Sequence, residues 1–119
     1  MIGMTTAENE LEVVKEAVVE WVRDAVSTHG GWDSYLAWVE ERAKDLGWSA
    51  CGVLSSQLAE RLFSRGLTGV VDCVYSSVNV TDFVVYGRRR LFVRITHSAL
   101  LRKLRVEVSE VVPRERIEV

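Results

Sequence analysis

The sequence predicts a mixed α/β (α+β) fold: N-terminal helices, then a small mixed, largely antiparallel sheet of four to five strands. Three observations predict it. Apolar residues recur at helical spacing as far as Arg65. From Val70 onward, β-branched and alternating runs replace that period. Short turn-like segments separate those runs, so consecutive strands are expected to pair antiparallel. At 119 residues the chain is expected to be one domain, 1–119, long enough to bury a core. Residues 1–54 form its helical part and 55–119 its α/β core.

The elements follow in order. Thr5 and Glu8 have capping-box spacing. Behind them Leu11, Val14, Val18, Trp21, Val22 and Ala25 make one face of a helix of about five turns. Glu10, Glu12, Glu16, Glu20 and Asp24 fill its other face, and Gly30 and Gly31 end it. Asp33 is the expected N-cap of a second helix, striped by Leu36, Val39, Ala43 and Leu46 and closed by Gly47. A third helix starts somewhere between Trp48 and Leu54, ends at Arg65, and is closed by Gly66.

Strands are expected at Val70–Tyr75, Val80–Tyr86 and Leu91–Ile95, with a hairpin turn over Gly87–Arg90. Ser98 to Leu104 has the composition of a short helix. Leu104, Val106 and Val108 alternate with Arg105, Glu107 and Ser109, as in a half-buried strand. Pro113 breaks the chain before a short final strand at Ile117–Val119.

The net charge of -2 hides an asymmetry. Residues 1–62 hold eleven acids and five bases, whereas 63–119 hold ten bases and six acids. Between Arg88 and Arg105 there is no acid at all. That segment carries Arg88, Arg89, Arg90, Arg94, Arg102, Lys103 and Arg105, with His97 among them. A concentrated positive stripe on an acidic chain is the footprint of a polyanion partner, through charge-driven, salt-sensitive phosphate contacts. The plainer alternative is a solvated surface balanced by acids of the N-terminal half.

Other chemistry is sparse. The sequence has no phosphate loop, metal-ligand cluster or nucleophile elbow, so no metal and no cofactor is expected. No signal-peptide pattern or membrane-length apolar run is present, and the expected location is the cytoplasm. Cys51 and Cys73 lack metal or redox spacing and are expected to be buried, reduced thiols, with a disulfide only in a hyperthermophile. Twelve Arg against three Lys, with only three Asn plus Gln, fit a thermophile. Trp21, Trp32, Trp38 and Trp48 all fall in the helical half and are expected in the core.

Two family resemblances follow from short motifs in the second half. Ala59–Gly66, a strand, Asp82-Phe-Val-Val-Tyr86 and Leu91-Phe-Val-Arg-Ile95 resemble the core of restriction-endonuclease-like nucleases, including archaeal Holliday-junction resolvases. That resemblance makes Asp82 the first acid of a metal site. The expected Glu-x-Lys pair falls near Arg94 and Thr96 and is absent. Two acids must converge on a cation, so the resemblance implies a lost metal site.

Asp82-Phe-Val-Val-Tyr86, followed by Arg94-Ile-Thr-His-Ser-Ala-Leu-Leu-Arg-Lys-Leu104, also resembles the C-terminal domain of archaeal tRNA-splicing endonucleases. The matched span is about residues 56–119. Those enzymes cut RNA without metal, using a Tyr, a His and a Lys. Tyr86 takes the family's Tyr position and Lys103 lies nearest its Lys. His97 matches a structural His of the later motif, and the loop that holds the catalytic His is cut to Gly87–Arg90.

The resemblance therefore implies a shortened, non-catalytic subunit that is not an enzyme on its own. Its partners would be structured RNA (precursor tRNA) or other nucleic acid, and a catalytic endonuclease subunit, in a hetero-oligomer or homodimer. The alternative is a degenerate resolvase-like fold acting as a stand-alone DNA-binding module. Tyr86, His97 and Lys103 are the catalytic candidates. Their plainer roles are a strand-end aromatic, a hydrogen-bonding residue at a helix start, and a phosphate contact or surface cation.

Overall fold

The computed structural model describes residues 7–98, 100 and 102–111. Three helices, α1 (Ala7–His29), α2 (Trp32–Leu46) and α3 (Ala50–Ser64), precede four strands. These are β1 (Val70–Ser76), β2 (Val80–Tyr86), β3 (Arg90–Ser98) and β4 (Lys103–Glu110). The sheet is a meander, β1-β2-β3-β4, and every pairing in it is antiparallel. The α/β layout agrees with the sequence, but none of the described pairings is parallel. The Thr5 capping box, Pro113 and the Ile117–Val119 strand lie outside the described residues.

Helix boundaries follow local chemistry. Gly30 and Gly31 take positive φ between α1 and α2. Gly47 ends α2 in the left-handed region, returning its N–H to Ala43 and Lys44 carbonyls, as expected of a C′ glycine. Ser49 caps α3 by accepting a hydrogen bond from the Gly52 N–H at 3.0 Å. Asp33 is not the cap of α2: the cap position is Gly31, and Asp33 sits in the first turn. There its charge still favours the helix N-terminus.

The helices cover one face of the sheet. Val14, Val18, Trp21, Val39, Leu54, Leu58 and Leu62 meet Phe83, Val85, Leu91, Val93 and Ile95 in a single core. Trp21 sits at its centre. Its ring lies edge-on to Trp32, Tyr35 and Phe83, and its Nε1 donates to the Tyr35 hydroxyl at 3.0 Å. Of the four tryptophans only Trp21 and Trp32 are buried; Trp38 and Trp48 are exposed. Trp38 instead stacks on Tyr35 at the rim.

Three further expectations are corrected. The helix expected over Ser98–Leu104 is not found among the described residues there, because β3 runs to Ser98 and β4 starts at Lys103. Pairing of β3 with β4 is continuous up to Ser98 opposite Lys103, and that ladder outcompetes one turn of helix. Cys51 and Cys73 form a disulfide that ties α3 to β1. The half-buried edge strand brings the two thiols together, which spacing in sequence could not reveal. Glu10, placed by periodicity on the solvent face of α1, is 3% exposed. Its Oε2 accepts from the Arg88 N–H at 3.2 Å, so α1 is held against the β2–β3 hairpin.

Acids of α1 also pair with α3. Arg61 reaches Glu20 at 3.0 Å and Asp24 at 2.5 Å, and Arg65 reaches Glu16 at 3.0 Å and also Glu20. The hydrogen bond from Arg65 is the largest of the effects that lower the Glu20 carboxyl's pKa. The edge strand β1 is protected too. A bulge interrupts its pairing between Cys73 and Tyr75, and the Cys73 N–H donates to Ser55 Oγ of α3 at 2.9 Å.

Candidate nucleic-acid interface

Side chains alternate across a strand, so the register assigns each residue to a face. Thr81, Phe83 and Val85 of β2 lie opposite Ile95, Val93 and Leu91 of β3, all on the helix side. The other face therefore carries Val80, Asp82, Val84 and Tyr86 opposite Thr96, Arg94, Phe92 and Arg90. From β4 it takes Lys103, Arg105, Glu107 and Ser109, and from β1 it takes Val70, Asp72 and Tyr75. No described element covers this outer face.

The basic stripe is distributed along it. Arg88 and Arg89 occupy the β2–β3 turn, and Arg90 opens β3. Arg102, with φ 50°, sits in the β3–β4 turn beside Lys103 at the opposite end. The nine residues of β3 separate the two ends by roughly 27 Å. Arg94 and Arg105 fall on the outer face between them.

The arginines are not alike. Arg94 is engaged by Asp82 through two parallel bonds, Nε to Oδ1 at 2.9 Å and Nη2 to Oδ2 at 3.0 Å. That pairing, first by its hydrogen bonds and then by charge, raises the Arg94 pKa. Arg89 pairs with Glu110 at 2.7 Å and Arg105 lies 3.7 Å from Glu107. Arg90 has no acidic partner among the described residues, and its guanidinium lies 5.4 Å from the Tyr86 ring centroid. Arg88, Arg102 and Lys103 have no side-chain acid partner among the described residues. Glu16, Glu20 and Asp24 of α1 pair with Arg61 and Arg65 and not with this stripe, which α1 meets through Glu10 at the Arg88 N–H.

Tyr86, His97 and Lys103 do not form one site. Tyr86 is on the outer face at the hairpin end, opposite Arg90. His97 is seven residues further along β3, on the helix face opposite Leu104. Its side chain is 10% exposed, with Nδ1 2.8 Å from Asp33 Oδ1 of α2. His97 is thus a strand residue that docks α2, not the start of a helix. Lys103 lies at the far end of the sheet from Tyr86.

Both carboxylate oxygens of Asp82 are occupied by Arg94, and no cluster of three or more His, Cys, Asp or Glu side chains suited to a metal occurs among the described residues. No described helix is long and apolar enough to cross a membrane.

One group of residues escaped the sequence reading. Phe92 and Tyr75 share the outer face with the arginines, and Tyr86 belongs with them as a surface ring. The signal was present as the period-two series Arg90, Phe92, Arg94. Comparison with protein families, with curated proteins and with solved structures finds no match to this chain.

Proposed function

We propose that this protein binds nucleic acid without cutting it, through the outer sheet face and the two turns that bound it. The observation that supports this most is the set of cations without acid partners among the described residues at both ends of β3, Arg88 and Arg90 at one end, Arg102 and Lys103 at the other. Cations left unpaired on an otherwise acidic chain attract phosphate and release its counterions. The separation of Tyr86, His97 and Lys103 argues against metal-free cleavage by that trio, and the Arg94–Asp82 pair argues against a metal nuclease at Asp82.

The narrower form of the proposal is a non-catalytic subunit of an archaeal tRNA-splicing endonuclease, acting with a catalytic partner on precursor tRNA. In its support, α3 leads through Arg65 and Gly66 into a strand, and Asp82-Phe-Val-Val-Tyr86 forms the whole end of β2. We place it in the cytoplasm of a thermophile, since few amides and a disulfide are both compatible with that setting.

The test is the salt dependence of nucleic-acid binding. Changing Arg88, Arg89 and Arg90 to Ala should weaken binding to all sequences alike and reduce the log–log salt slope by about 1 for each lost phosphate contact. An unchanged slope removes these residues from the interface. Co-expression with the splicing endonuclease's catalytic subunit tests the narrower form; no complex on size exclusion would exclude it.

A further inference from the structure

We propose that the outer sheet face takes a single-stranded nucleic acid, with Tyr86 and Phe92 as platforms for unpaired bases. This rests on the nucleic-acid reading above and adds the form of the ligand. The register carries it. Tyr86 lies opposite Arg90, and Phe92 is two residues further along the same face, a diagonal pair about 7–8 Å apart. Each ring already has a guanidinium over it, Arg90 on Tyr86 and Arg94 on Phe92, both 5.4 Å from the centroid. A ring beside a cation is what a base and its phosphate require together, a π face for stacking and a charge for the backbone; Arg90 supplies that charge, while Arg94 is held by Asp82 and orders the surface around Phe92.

The surrounding surface fits. Tyr86 is 41% exposed and Tyr75, on β1 opposite Asp82, is 55% exposed. Two exposed rings and the half-buried Phe92 on a four-stranded antiparallel sheet can stack two or three bases. A duplex would gain nothing from them, because its bases already stack on each other.

Charge sets the path of the strand. Asp72 on β1 has no basic partner among the described residues and repels phosphate on that side. Arg90 and Lys103 have no acidic partner among the described residues and attract it along β3 and β4. The phosphates therefore follow β3 and β4 while the bases turn inward over Phe92 and Tyr86.

The experiment measures fluorescence anisotropy of labelled oligoribonucleotides and oligodeoxyribonucleotides, single-stranded and as blunt duplexes of the same sequence. Tyr86→Leu and Phe92→Leu keep apolar bulk and so protect folding, which thermal melting verifies. Expected is tighter binding of the single strands than of the duplex. Each Leu variant should lose about 5- to 150-fold in single-strand affinity, the range for one base–ring stack, with the salt slope unchanged. The ribose and deoxyribose arms show which backbone is preferred. Leu variants that bind as the parent does, while the Arg88, Arg89 and Arg90 variants lose affinity, would overturn stacking and leave phosphate binding standing. No binding of any form at low salt would overturn both. A dimer in sedimentation that either Leu variant abolishes would mean that this face meets a second copy instead, which also overturns it.

Discussion

Arg94 grips Asp82 across the two central strands with a two-pronged ion pair, at 2.9 and 3.0 Å. Asp82 is 7% exposed. Its carboxylate would be costly to bury alone, and the fork-shaped guanidinium matches both oxygens. The pair thus explains why an acid and a base stand opposite each other in the middle of the sheet. It also makes Arg94 a structural residue first and a phosphate contact second.

Arg94→Ala should therefore lower the melting temperature by several degrees, since it leaves a buried carboxylate unpaired. Adding Asp82→Asn should recover part of the loss. A double-mutant cycle measured by thermal denaturation checks this; purely additive effects would show that the pair does not couple.

Thr81 lies on the core face of β2, opposite Ile95, and is 1% exposed. Its Oγ1 is buried without a hydrogen-bond partner. Thr81→Val exchanges that hydroxyl for a methyl of similar shape. Stability should rise by about 1 kcal/mol. Urea denaturation reads the change, and a loss of stability would mean that the hydroxyl has a partner.

The Cys51–Cys73 disulfide closes a loop of 22 residues between α3 and β1. Constraining the unfolded chain over that length contributes about 3 kcal/mol in the chain-entropy model. A reductant, or Cys51→Ser with Cys73→Ser, should lower the melting temperature accordingly. Alkylation followed by mass measurement, without prior reduction, should find neither thiol free.

Burial pushes the Tyr35 phenol up from 10.0 to about 12, a rise partly opposed by the bond from Trp21. Below pH 10 neither the folded nor the unfolded state ionises it. Between about 10 and about 12 the unfolded chain releases the proton first, so stability falls as pH rises through this window. Tyr35→Phe should start less stable, because it strips Trp21 Nε1 of its acceptor. It should nevertheless show a shallower loss across the same pH range. Equal slopes in the two proteins would mean that Tyr35 ionises with equal ease in both states.

The three helices, the four described strands and their order were readable from residue spacing because periods of 3.6 and 2 are local properties of the chain, whereas the short helix expected over Ser98–Leu104 gave way to strand pairing. Gly47 closing α2 and the β2–β3 turn, expected over Gly87–Arg90 and found over Gly87 to Arg89, were readable for the same reason. So was the concentration of charge from Arg88 to Arg105, which composition alone displays. Tertiary structure decided what each charge meets. Glu10 sits on the polar face of an isolated α1, yet the hairpin closes over it. Asp33 looks like a cap, yet it faces His97. Two distant thiols become a disulfide because α3 packs on an edge strand. The candidate site shows the same division. Its cations are written in one stretch of sequence. Strand pairing then sends Arg94 to Asp82, leaves Arg90 over Tyr86, and sets Phe92 beside them on the open face. Periodicity states which residues share a face; only register and packing determine which face stays open and which charges remain free.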